Sequence, residues 1–86
     1  MTIYEARRAM KPAILNEAIL ANIAALHDRL AEALVRAGEA RDPMQSGQRN
    51  RAIGTILEFE RTLPECEALF RTALLLHRNA LRGVQP

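Results

Sequence analysis

The sequence predicts an all-α fold: a long antiparallel helical hairpin that assembles into a homodimeric four-helix bundle. Three observations lead there. Apolar residues recur at spacings of three and four over two long stretches, the signature of amphipathic helices. Strand formers are scarce, with Tyr4, Phe59 and Phe70 the only aromatics beside fifteen alanines. One cluster of turn residues, from Gly38 to Ser46 with Asp42-Pro43 at its centre, separates the stretches. The organisation that follows is a single domain over 1–86, with helical arms at 3–37 and 47–83 and a loop at 38–46.

The first arm is expected to start near Ile3, because Thr2 and Glu5 have capping-box spacing. Pro12 removes a backbone donor and disfavours helical geometry at Lys11, so a kink is expected there. Beyond it Leu15, Ile19, Ile23, Leu26, Leu30, Ala33, Leu34 and Ala37 fall on one side. Leu20, Ala24, Ala31 and Val35 extend that surface round the helix, and Gly38 supplies the expected stop.

The second arm is expected to be capped by Ser46, with Ala52, Ile53, Ile56, Leu57, Phe59 and Leu63 buried. Pro64 follows without a loop, so a second kink is expected in place of a reversal. Thr62 and Glu65 have capping-box spacing, Pro64 suits a first turn, and Gly83 is a stop signal. In this last helix Leu63, Cys66, Phe70, Ala73, Leu74, His77, Leu81 and Val84 share one face, which predicts the buried stripe.

A chain of this length buries only about 60–65% of the surface its unfolded form exposes, and a two-helix hairpin leaves its outer apolar arcs wet. Self-association is the expected remedy. Leu69, Leu76 and Leu75 lie progressively farther round from the core stripe, with Arg78 and Arg82 beside them. These five residues are the expected partner-binding surface.

No constellation of catalytic, metal-binding or cofactor-binding residues stands out. His27 and His77 lack the Glu-x-x-His spacing of helical di-iron sites. With the turn placed near residue 42, they would lie opposite Glu58 and Arg8 and never meet. Cys66, the lone cysteine, reads as a small buried hydrophobe with no base beside it. Glu58 and Glu60, like Glu65 and Glu67, are two apart and diverge on a helix; Glu67 and Arg71 at i,i+4 form a salt bridge instead.

The net charge is +2 with eleven arginines and one lysine, a composition that suggests a GC-rich bacterial or phage source. Arg71, Arg78 and Arg82, with Arg49 and Arg51, could meet phosphates. No aromatic is interleaved for base stacking, so nucleic-acid binding is the second reading. A lone cysteine and the lack of a long uncharged apolar run point to the cytoplasm, with no membrane span. The functional expectation is a non-enzymatic protein-interaction module: a regulator, adaptor or chaperone that binds itself and another protein.

Overall fold

The computed structural model describes residues 12–84, with side chains as far as Leu81. Among these residues the structure is entirely helical: α1 spans Pro12–Gln45, α2 spans Arg49–Ile56 and α3 spans Phe59–Val84. Helix α1 is one arm of a hairpin. Helices α2 and α3 form the other, bent at Leu57 and Glu58, and both pack on α1. The expected start at Thr2 and Glu5 lies outside the described residues, as does any change of direction before Pro12.

The first arm does not stop at Gly38. A single glycine costs a helix roughly 1 kcal/mol relative to alanine, too little to end a run whose other residues favour helix. Glu39 to Gln45, expected to be loop, are helical, and Pro43 is accommodated in the last turn. The stop comes at Gly47, whose φ of +79° is the left-handed conformation that only glycine adopts without strain. The Gln48 N–H donates to the Pro43 carbonyl at 2.8 Å and the Gly47 N–H to the Met44 carbonyl at 3.1 Å. These are the two bonds of a Schellman motif. The connecting turn is therefore Ser46 to Gln48, and Gln48 rather than Ser46 holds the N-cap position of α2, without a side-chain cap.

The second arm breaks upstream of the place Pro64 suggested. Thr62 is no cap: it lies inside α3, and its hydroxyl donates to the Glu58 carbonyl at 3.1 Å. Pro64 has no N–H for the Glu60 carbonyl four residues back, and its ring crowds that carbonyl. The strain is relieved before Glu60, where the Glu60 and Arg61 N–H groups reach back only three residues, to Leu57 and Glu58. Gly83 also lies within helix, since α3 runs to Val84.

The break does not disturb the phase of the seam. In α2 and α3 the less exposed positions include Ala52, Thr55, Phe59, Thr62, Cys66, Leu69, Ala73, Leu76 and Ala80, alternating spacings of three and four, with Glu65 and Leu74 flanking the series. In α1 the matching series runs through Leu15, Ile19, Asn22, Leu26, Arg29, Ala33, Arg36, Ala40 and Pro43, of which Arg29 and Arg36 are exposed and reach the other arm as ion pairs. This is the heptad pattern of an antiparallel coiled coil. Small residues occupy its tightest points: Ala40, Ala52 and Cys66 are buried, and among the described residues no large side chain is fully enclosed. Asn22 is satisfied locally, its amide donating to the Ala18 carbonyl at 2.9 Å.

The result is a rod of 64 × 19 × 18 Å with a radius of gyration of 19.2 Å. A compact chain of this length would have a radius of about 12 Å. Its accessible surface of 7184 Å² exceeds the roughly 5,100 Å² expected of a compact 9.6 kDa monomer by about 2,000 Å².

Candidate protein-binding face

The stripe expected to be the core of the last helix is turned largely outward. Cys66 is buried and Ala73 and Leu74 are half-buried, but Leu63, Phe70, His77 and Leu81 are exposed, Phe70 at 51%. A single neighbouring helix covers only a narrow seam, and here the seam takes the smaller residues on the flank of that stripe. The same holds on α1, where Ile23 and Leu30 are about half exposed, Leu20 is 64% exposed and Leu34 75%.

These outward residues form a second pattern of threes and fours. On α1 it runs Leu20, Ile23, His27, Leu30, Leu34, Ala37, Arg41, Met44; on the other arm, Ile53, Ile56, Glu60, Leu63, Glu67, Phe70, Leu74, His77, Leu81. Each series is displaced from its seam in the same rotational sense. Because the arms run antiparallel, both fall on the same side of the hairpin.

The ion pairs between the arms mark the other side. Arg29 Nη1 meets Glu65 Oε2 and Arg36 Nε meets Glu58 Oε2, each at 3.5 Å. Arg36 also donates to Glu39 at 3.0 Å. That bond first, then the charges of Glu39 and Glu58, hold the Arg36 guanidinium pKa above its ordinary value. Arg61 adds a contact to Glu65 at 3.8 Å, and the shallow hollow on this side is lined mostly by charged residues, Arg29, Glu32, Arg36, Glu39, Glu58 and Arg61, with Ala33, Val35, Phe59 and Thr62 between them. One side of the rod is thus polar and internally paired, while the other is apolar. Of the fourteen large hydrophobic side chains substantially exposed among the described residues, ten belong to the apolar face.

Both inter-arm pairs join residues whose numbers add to 94, which fixes the level of every other residue. Leu30 is level with Leu63 and Pro64, Ile23 with Phe70, and Leu20 with Leu74. His27 is level with Glu67 rather than Glu58, and His77 with Glu17 rather than Arg8, because the turn lies later than expected. His27 is exposed, its Nδ1 3.2 Å from the Asp28 carboxylate. Among the described residues no group of three or more His, Cys, Asp or Glu side chains converges on a metal-sized site.

Of the five residues expected to bind a partner, the described ones fall on different sides of α3. Leu69 and Leu76 are half-buried in the seam against α1, whereas Leu75, 58% exposed, stands alone on the outer side. Arg78 is exposed, and the Arg82 side chain lies outside the description. The arginines do not converge either. Arg71 is held by Glu67 at 2.7 Å, and about twenty helical residues, roughly 30 Å at 1.5 Å per residue, separate it from Arg49 and Arg51. Among the described residues no helix is long and apolar enough to cross a membrane.

No known protein family, characterised protein or solved structure matches the chain.

Proposed function

We propose that the chain is a small protein-binding module, non-enzymatic and acting as a regulator, adaptor or chaperone, that works through the apolar face of its hairpin. The observation that supports this reading is the continuity of that face. Leu20, Ile23, Leu30 and Leu34 on one arm stand beside Leu63 and Phe70 on the other, all about half exposed or more. A helical partner laid along the rod would cover both rows. A cytoplasmic setting belongs to the same reading, supported by the lone cysteine, which leaves the chain without a disulfide framework.

Contiguous apolar surface rimmed by polar groups is uncommon on monomeric proteins and marks interaction sites, whereas scattered exposed leucines such as Leu75 need no explanation. The experiment compares capture of proteins from the native host by wild type, Leu34→Asp and Leu75→Asp. A partner retained by wild type and Leu75→Asp but lost with Leu34→Asp is the expected result. Equal capture by all three would refute the assignment of this face.

A further inference from the structure

The geometry points to a second copy of this chain as the occupant of the apolar face, with α1 of each hairpin lying on the α2–α3 arm of the other and both turns at the same end. The inference rests on the protein-binding reading above and names the partner.

The surface area fits. The face is as wide as the rod, 19 Å, and Leu20 to Met44 spans about 36 Å at 1.5 Å per residue, so two copies would bury about 1,400 Å² in total. That lies within the range of a stable protein–protein interface. It removes about 700 Å² from each chain, roughly a third of the excess surface of the lone rod.

The pattern fits as well. Both rows keep heptad spacing along their length, so each can interlock with another such row. Within a chain, the apolar residues of the two rows already stand level in pairs. A two-fold axis along the rod preserves level, so between copies Leu20 meets Leu74, Ile23 meets Phe70 and Leu30 meets Leu63.

Charge selects the arrangement. Each row has an inner column beside the seam and an outer column at the edge of the face. The outer column of α1 contains His27 and Arg41, and the outer column of the other arm contains Glu60 and Glu67. Laying α1 on the partner's second arm brings the edge with His27 and Arg41 against the acidic edge, with His27 level with Glu67. The alternative, α1 on α1 with the turns at opposite ends, sets Glu60, and Glu67 with its paired Arg71, against a second acidic edge. Like charges across an interface disfavour that pairing. His77, in the inner column, stands level with Asn16 and Glu17 and opposes neither arrangement.

Light scattering on the full chain at micromolar concentration tests the occupant, and cysteine cross-linking in a Cys66→Ser background tests the arrangement. Wild type should have twice the chain mass of 9.6 kDa. Leu34→Asp and Ile23→Asp should be monomers that remain helical by circular dichroism. A Leu34→Cys chain mixed with a Glu60→Cys chain should form a disulfide-linked dimer, and neither variant alone should do so. If the dimer forms but Leu34→Cys cross-links to itself and not to Glu60→Cys, the arrangement is wrong while the face stands. A monomeric wild type overturns the second copy as occupant, and the host-capture comparison then decides separately whether the face binds another protein. A dimer that survives both aspartate substitutions overturns the inference and the protein-binding face together.

Discussion

Arg29 on the first arm reaches Glu65 on the second, and the carboxylate oxygen it meets, Oε2 at 3.5 Å, is shut off from solvent with no hydrogen bond of its own. Both side chains are otherwise partly exposed, so screening limits the pair to about 1 kcal/mol or less. Arg29→Ala should cost roughly that much because it strands the enclosed oxygen. The double variant Arg29→Ala with Glu65→Ala should lose less than the two single losses added together. Urea unfolding measures all three, and strict additivity would show that the contact contributes nothing.

Two glycines of the turn region should respond in opposite directions. Gly38 is helical, and a β-carbon there would meet nothing within 4 Å, so Gly38→Ala should stabilise by about 0.5–1 kcal/mol. Gly47 also has open space around it, but its φ of +79° penalises any side chain, so Gly47→Ala should destabilise by about 1 kcal/mol. Each change corresponds to about 4–8 °C in melting temperature for a domain of this size, read at matched protein concentration. A loss on Gly38→Ala would mean that the first arm ends where its glycine first suggests.

Neighbouring leucines on α3 separate seam from surface. Leu76→Asp puts a charge in the half-buried seam and should cost about 2–3 kcal/mol, whereas Leu75→Asp should change stability by no more than about 0.5 kcal/mol. Thermal melts followed by circular dichroism would show it. Equal effects would mean that α3 is rotated about its axis from the orientation described.

The closest approach of the arms is set by side-chain size. Ala40, Ala52 and Cys66 are the most enclosed residues of the rod, at 7%, 3% and 7% exposure. Ala52→Leu should overpack this point and destabilise by about 1–3 kcal/mol, although it adds apolar surface. A rise in the urea midpoint would show that the seam has room to spare.

The two arms were legible in the sequence, because spacings of three and four over Leu15 to Ala37 and Phe59 to Leu81 survive in any packing, but the reversal lies at Ser46 to Gln48, a helical turn later than Asp42-Pro43 suggested. The boundaries were less so. Gly38 looks like a stop, and only the backbone hydrogen bonds around Pro43 and Gly47 show which glycine takes the left-handed position. The orientation of the second arm was misread for a physical reason: the row with the largest side chains, Leu63, Phe70, Leu74 and Leu81, buries only where enough neighbours exist to cover it. In a two-helix rod the closest contact goes to Ala52, Cys66, Ala73 and Ala80. As a consequence, Leu69 and Leu76 form part of the seam instead of the expected binding surface.

The phase maintained through the break at Leu57 and Glu58 limits how the chain can change in length. Deleting one residue there would turn everything downstream by about 100°, carrying Cys66 and Ala73 out of the seam. Deleting seven would return the same columns to the same sides and shift the register by about 10 Å. Matched deletions of seven, one in each arm, would leave a shorter rod with the same two sides. Length variants of this hairpin should therefore be viable in heptad steps taken in pairs, and related chains, if they differ in size, should differ by about fourteen residues at a time.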